Sequence, residues 1–506
     1  MWQRYTFNDF RVIAHYLGDL VLLLAAAMVV PVVVAVVFQE WDPALRYVRA
    51  IGLALLIGSG MCCLQVNPTQ LNRQQALGVV GFAWIVLSLI GAIPLYGSGH
   101  FATYLDALFE SVSGFTTTGA SIIGDLDHLS YADNMWRFAT SFMGGLGLVV
   151  VMLSLGLFGA SGGTSLYSSE GRDEHVVPNV VETTRLIARI AILVVGVSSV
   201  IVIGFCLVAG MEPARAVLQG LWIAISSFMT CGFTPMTENI YYYHSLFMEV
   251  GLMVLMLLGG VNFALLAAAW RGKVAEVLRD TELKTMFLWL MLLVIISVLA
   301  LSAASVFADA PALMRSGLFM IISAASTTGF STVTPDKLDS IINAGAFFVL
   351  ALAMAAGLSA GSTVGGIKLR RLAIIARSVG TTIKQAASPS SARVVGTYHH
   401  VGRRVIDGNM VKESMTIFAL FVGMYAVGAL VGVAYGYDST AAIFDSVSMA
   451  SNAGLSAGVA SEGMPVPLEL LYICEMWAGR LEFVTLFALI AKIFVSLKPR
   501  WKREGR

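Results

Sequence analysis

The sequence predicts an all-α integral membrane protein, with four parallel span–pore-loop–span repeats around a central pore and two extra N-terminal helices. Three observations predict it. Apolar residues make up 57% and charged residues only 12% of the 506 positions, about half the ~25% charge of an ordinary soluble domain. Charge-free runs long enough to span a bilayer recur to the end of the chain. One Ser-, Thr- and Gly-rich pattern occurs four times. A mean hydropathy of +0.80 excludes a cytosolic enzyme, a secreted disulfide scaffold and a nucleic-acid binder. The lipid bilayer is an expected partner, whereas the net charge of +1 says nothing about partners, because in a membrane chain what matters is where the charges sit. Cys62, Cys63, Cys206, Cys231 and Cys474 are odd in number and lie in apolar stretches, so they read as packing residues. Residues 1–19 show no small-residue cleavage site and do not read as a signal peptide.

Crossing ~30 Å of hydrocarbon takes roughly 20 residues of helix. Suitable runs are 20–39, 50–72, 77–95, 138–161, 190–211, 250–270, 285–308, 340–367 and 414–437. A tenth, 468–494, is apolar but carries Glu469, Glu475, Arg480, Glu482 and Lys492. Ten spans put both termini on one side, and basic residues choose the side. Segments that fall inside hold 25 of the 32 Lys and Arg, against six outside: Arg46, Arg49, Arg137, Arg215, Arg315 and Lys337. Both termini are therefore expected in the cytoplasm, and the chain is expected as a multi-pass protein of the inner (cytoplasmic) membrane.

The four polar segments align without gaps on a single glycine. They read L-F-E-S-V-S-G-F-T-T-T-G-A at Gly119, L-W-I-A-I-S-S-F-M-T-C-G-F at Gly232, L-F-M-I-I-S-A-A-S-T-T-G-F at Gly329, and I-F-D-S-V-S-M-A-S-N-A-G-L at Gly454. An aromatic stands ten residues before each glycine (Phe109, Trp222, Phe319, Phe444) and a serine six before (Ser113, Ser226, Ser323, Ser448). The glycines are 113, 97 and 125 residues apart, so each copy fits a whole span–segment–span unit. The units are expected at 75–165, 186–273, 282–385 and 411–497. A two-helix region, 1–74, precedes them; 386–410 is a cytosolic connector and 498–506 a basic tail. Each segment is expected to enter from outside as a short helix and return as extended backbone, which is tolerated at membrane depth only beside protein or a water-filled cavity.

Rings of backbone carbonyls can replace the hydration shell of potassium, and a residue without a Cβ permits the φ and close approach required. That points to four strands as the potassium site: Thr116, Thr117, Thr118 and Gly119; Met229, Thr230, Cys231 and Gly232; Ser326, Thr327, Thr328 and Gly329; Ser451, Asn452, Ala453 and Gly454. Glu110 and Asp445 stand nine residues before the glycine in the first and fourth copies only. They either concentrate cations or serve a helix end. Small residues also recur 25 to 28 positions after each glycine: Gly144-Gly145, Gly259-Gly260, Gly357 and Gly479. In the first two this reads equally as close helix packing. The third continues A-A-G-L-S-A-G-S-T-V-G-G-I-K from Ala355 to Lys368, too rich in glycine for a steady helix. A broken helix with a mobile intramembrane loop is expected there, with Gly357, Ser359, Gly361, Ser362, Thr363, Gly365, Gly366 and Lys368 as gate residues. Arg480 completes the set. It either faces the pore axis below the filter, where a fixed charge opposes leak, or pairs with Glu475 or Glu482. No H-E-x-x-H, G-x-x-x-x-G-K-[ST] or G-x-G-x-x-G occurs, so neither an enzyme site nor a nucleotide site of its own is expected.

T-T-T-G-A at Thr116, S-T-T-G-F at Ser326, the G-L-S-A-G-S-T-V-G-G-I-K loop and G-R-L-E at Gly479 resemble the Trk/Ktr/HKT superfamily of potassium transporters. The likeness covers about residues 75–497, and the extra N-terminal pair of spans is similar to the bacterial Trk branch. M-T-C-G-F and S-N-A-G-L depart from the family's Thr-Thr-Gly form. The resemblance implies potassium uptake through a pore within one chain, a homodimer, a gating loop in the third repeat, and a cytosolic ring of nucleotide-binding regulatory subunits. A secondary transporter coupling potassium to sodium or protons is the alternative, although broken helices in inverted repeats would suit it better than the parallel repeats expected here.

Overall fold

The computed structural model of the chain describes residues 4–64, 71–147, 180–303, 310–333, 347–389, 396–399, 403–481 and 483–497, together with Val150 and Leu153. Helix α1 (Phe7–Ala27) starts at a capping box in which Thr6 and Asp9 satisfy each other's backbone amides. It runs almost without pause into α2 (Val29–Val37), and the two form one apolar stretch of 31 residues. The first span therefore begins at Phe7 rather than at residue 20. The second is likewise early: α3 (Trp41–Cys62) carries Asp42, Arg46 and Arg49 in its first turns. Charge-free runs underestimate such helices because a paired charge is tolerated at a span's end. Arg46 is not a loop charge. It donates to both oxygens of Asp133, at 2.9 and 3.2 Å, and to the Pro94 carbonyl at 2.6 Å. α1, α3 and α4 (Arg73–Tyr96) pack together and bury Val21, Leu24, Tyr47 and Ala54.

From α4 onward a long helix is followed by a short one and then by a helix that stops partway, four times over. The first set is α4, α5 (Tyr104–Phe115) and α6 (Tyr131–Leu146); the second is α7 (Val180–Val208), α8 (Pro213–Phe228), and the pair α9 (Leu246–Gly259) and α10 (Phe263–Trp270). After α11 (Val274–Arg279) come α12 (Thr281–Ala303), α13 (Ala310–Ala325) and α14 (Phe347–Ala355). Then α15 (Leu369–Ala386) and strands β1 (Thr397–His399) and β2 (Arg403–Val405) lead to α16 (Gly408–Ala434), α17 (Ser439–Ala450), α18 (Val466–Arg480) and α19 (Val484–Leu497). A short antiparallel ribbon, with Tyr398 opposite Arg404, is added to the otherwise helical described residues and lies within the stretch expected as a connector. Thr, Tyr and Val there favour extended backbone.

Among the described residues six helices are long and apolar enough to cross a membrane on their own. The stopped helices are a different matter. α9 and α10 meet at 103°, with Asn262 Oδ1 restarting the chain by accepting from Ala264 N–H at 2.7 Å. α6 gives way to Gly147 at φ +88°, and α14 ends at the glycine-rich run. A break was expected in the third copy and left open against close packing in the first two, where Gly147 and Gly259-Gly260 mark breaks as well. Residues 65–70, 148–149, 151–152, 154–161, 304–308 and 340–346, parts of four expected spans, lie outside the described set, as do Lys337, Glu482 and 498–506.

Long helices present bare apolar side chains outward, among them Leu56, Val200, Leu299 and Leu430, the surface a lipid solvent requires. Cys206 and Cys231 are buried, whereas Cys63 and Cys474 are exposed, contrary to the reading of all five as interior packing. At the start of α17, Asp438 accepts the amides of Thr440 and Ala441, and these hold its carboxyl below the usual carboxylate range.

Candidate ion pathway

Each short helix ends four residues before its glycine, at Phe115, Phe228, Ala325 and Ala450, and each ends alike. The amides of Thr117, Thr230, Thr327 and Asn452 bond three residues back, to Gly114, Ser227, Ala324 and Met449, at 3.0–3.2 Å. The next amides, of Thr118, Cys231, Thr328 and Ala453, bond five back, to the four serines, at 2.8–2.9 Å. This is a Schellman motif, and it needs a left-handed residue at its first position. Thr117, Thr230, Thr327 and Asn452 supply it at φ +56°, +49°, +47° and +55°. Threonine there is strained by about 1–2 kcal/mol, and strain of this kind gathers at functional sites. The aromatics ten residues before the glycines are all buried.

Two residues further on, Gly119, Gly232, Gly329 and Gly454 take φ +77°, +86°, +87° and +77°. A Cβ on Gly119 would lie 1.6 Å from the Cys231 carbonyl oxygen, and one on Gly232 1.9 Å from that of Thr328. Gly329 meets Ala453 O at 2.1 Å, and Gly454 meets Thr118 O at 2.1 Å. Each glycine thus abuts the carbonyl just before the next glycine, and the fourth closes on the first. The neighbouring strand alone leaves no room for a Cβ at any of the four glycines. Aligned C-terminal helix ends bring partial negative charge to this ring.

Below it, the glycines of the stopped helices touch the ends of the short ones. A Cβ on Gly144, Gly259 or Gly479 would lie 1.8–2.2 Å from the carbonyl of Phe115, Phe228 or Ala450. Gly357 breaks the pattern, facing Gly365 O at 1.9 Å, because residues 358–368 fold back as a compact buried loop. Its apex reaches the second, third and fourth strands, and Arg480 links it to the first. Thr363 Oγ1 accepts from Thr230 Oγ1 at 3.0 Å and donates to Gly259 O at 2.9 Å. Gly365 N–H donates to Thr327 Oγ1 at 2.8 Å, and a Cβ there would meet Ser451 O at 2.0 Å. Arg480 Nη1 donates to Thr363 O at 2.9 Å and to Thr117 Oγ1 at 3.3 Å, and Nη2 to Gly144 O at 2.5 Å. Glu475 accepts from Ser446 Oγ at 3.1 Å. The loop's stem is held too: Ser359 N–H on Gly260 O, Gly361 O on Phe263 N–H, and Lys368 Nζ on Val364 O. Gly361 and Gly366 turn at φ +66°; Ser359 and Thr363 are fully buried and Ser362 nearly so. Arrangements of this kind bring the four strands, the loop and Arg480 into one assembly, as the sequence grouped them.

Sequence reasoning missed three contributors. Glu282 Oε1 accepts Ala360 N–H at 2.6 Å from the start of α12. Asn239, left-handed at φ +56°, accepts Ser331 N–H at 3.0 Å. Arg137, counted among outside loop charges, is buried against Glu110, with Nε to Oε1 at 2.8 Å. A Glu and an Arg 27 positions apart carry no local spacing signal. Glu110 and Asp445 both bind the backbone or side chains just past a glycine. Among the described residues no cluster of His, Cys, Asp and Glu could hold a metal ion.

A family model described as TrkH, cation transport protein, matches residues 46–498. The chain is 28% identical over 499 residues to an uncharacterized cation transporter of Methanocaldococcus jannaschii, covering 97% of each. It is also 28% identical to the Trk system potassium uptake protein TrkH of Escherichia coli K12, over 96% of this chain and 99% of that one. Its fold is similar to the crystal structure of the potassium transporter TrkH from Vibrio parahaemolyticus, at TM-score 0.80 and 23% identity, covering 98% and 100% of the two chains. The chain belongs to the TrkH family of cation transport proteins, and it is a multi-pass membrane transporter rather than an enzyme.

Proposed function

We propose that this chain takes up potassium across the cytoplasmic membrane through a filter made by the four glycine strands, with the loop at 357–368 and Arg480 as its gate. The observation that carries the reading is the closed ring of glycine–carbonyl contacts, each strand with the same pair of left-handed residues. Such a ring presents carbonyls at matched heights, the chemistry that replaces potassium's water. Curated relatives named as potassium uptake proteins support the choice of ion. The loop apex bonded beneath the ring corresponds to a closed state. Four parallel repeats, ten spans, cytoplasmic termini, a homodimer and a cytosolic nucleotide-binding ring complete the proposal.

Purified chain in liposomes, with potassium, sodium, proton and voltage gradients imposed one at a time, tests it. Potassium flux should follow its own gradient and the voltage. Uphill potassium movement driven by a sodium or proton gradient would overturn the channel-like mechanism in favour of coupled transport.

A further inference from the structure

Two residues past its glycine, each strand is tied down by a side chain: a carboxylate in the first and fourth, a guanidinium in the second and an amide in the third. Ser121 Oγ donates to Glu110 Oε1 at 3.1 Å, and Ser456 Oγ to Asp445 Oδ2 at 2.7 Å. Ser331 N–H donates to Asn239 Oδ1 at 3.0 Å. The Thr234 carbonyl accepts from Arg137 Nη1 at 3.0 Å. The backbone is four times alike, whereas its outer anchors are not.

One anchor is shared. Because Arg137 Nε also donates to Glu110 Oε1 at 2.8 Å, the carboxylate holding the first strand and the guanidinium holding the second form one ion pair. Arg137 Nη1 further donates to Asn134 Oδ1 at 3.1 Å, and the guanidinium lies 4.2 Å from the Phe233 ring centroid. Both residues are 1% exposed. The pair is an expensive way to gain stability: buried ion pairs rarely outperform apolar residues of equal volume. Here Glu110 Oε2 and Arg137 Nη2 have no hydrogen-bond partner among the described residues. What it supplies is direction, since a planar fork fixes three acceptors at once where a point charge does not.

We propose that Glu110 and Arg137 are positioning residues for ion discrimination, a strut that fixes the spacing of the first two strands at their outer ends. The proposal rests on reading those strands as the filter. Whether potassium is preferred through cavity size or through the number and field of carbonyls, the preference is lost when a ring closes around the smaller sodium ion. A strut between neighbouring strands resists that closure.

The test uses the full chain in liposomes and reads the potassium-to-sodium flux ratio, together with the thermal midpoint in potassium, sodium and choline chloride. Arg137→Lys keeps the charge but loses the fork. Glu110→Gln with Arg137→Met removes both charges, and with no lone buried charge remaining it is expected to fold. Both variants should lower the flux ratio about five- to tenfold, tenfold being 1.4 kcal/mol, and should shrink the potassium-over-sodium difference in midpoint. The double variant's midpoint in choline should stay near wild type. If Gly119→Ser shifts the ratio while both pair variants keep it, the pair is merely structural and the proposal is overturned with the filter intact. An unchanged ratio in Gly119→Ser as well removes the filter reading and the proposal with it. Should neither pair variant fold, Ser121→Ala, which cuts only the hydroxyl link, must lower the ratio at least twofold; an unchanged ratio overturns the proposal.

Discussion

A glycine can be required for a φ above zero or for the room that a missing Cβ leaves, and Gly119 meets both conditions. At φ +77°, with a Cβ placed 1.6 Å from the Cys231 carbonyl oxygen, any side chain must displace a carbonyl of the ring itself. Gly119→Ser should therefore change ion preference more than affinity. A displaced carbonyl and an added hydroxyl narrow the site and favour the smaller ion, so competition flux should show at least a tenfold loss in potassium over sodium. Gly329→Ser, at φ +87° and 2.1 Å from Ala453 O, should act in the same direction. Gly357→Ser overlaps Gly365 O within the loop; it should alter gating and leave the ratio alone. Wild-type ratios in folded Gly119 and Gly329 variants would remove the glycines from the filter. The glycines were legible because four copies align on them. The left-handed threonines beside them were not, because no propensity places a β-branched residue at positive φ; only the Schellman register does.

Short helices and the loop set the next scale. Helices α5 and α17 are 12 residues long, about 18 Å at 1.5 Å per residue, which reaches partway through a bilayer and delivers its C-terminus to the interior. The loop is bonded to the ends of the other two short helices, α8 and α13, through the strained threonines: Thr230 to Thr363, and Thr327 to Gly365. Withdrawing the loop must break both. Thr327→Val keeps the shape and deletes the acceptor for Gly365 N–H. Losing a hydrogen bond of about 1 kcal/mol moves a closed-to-open ratio close to fivefold, at 1.4 kcal/mol per tenfold. Partner-independent flux should rise by that order, and deleting residues 359–365 should raise it further. Unchanged flux in a folded deletion would show that the loop is not the gate. The third-copy break was legible from its four glycines. The break at Gly259-Gly260 was hidden, because two glycines in an apolar run also suit close packing, and against Phe228 O Gly259 serves that purpose too.

At the scale of the whole molecule, the decisive connection runs from the loop proposed as the gate to the side proposed to face the cytosol. Leu369 N–H bonds to Gly357 O and Leu358 O, so α15 begins where the loop ends, with no slack between them. Arg377 on α15 donates to the Thr397 carbonyl at 2.8 Å, coupling the β ribbon to the same helix. The ribbon's docking on α15 was not legible, because it depends on contacts between residues 20 positions apart. A partner that moves α15 or the ribbon would therefore pull directly on the loop, a two-state element it can bias. The chain has no nucleotide motif of its own, so the nucleotide response should belong to that partner. Flux in liposomes holding this chain alone should ignore added nucleotide and should respond once the cytosolic assembly is supplied. Arg377→Glu and Lys384→Glu reverse charges on α15, and they should weaken co-purification of the assembly, more so at low salt where screening is least. Basal flux of the chain alone should change little in Lys384→Glu, since Lys384 lies near the helix end remote from the loop. A nucleotide response without the partner would place the sensor in this chain and end the two-component account.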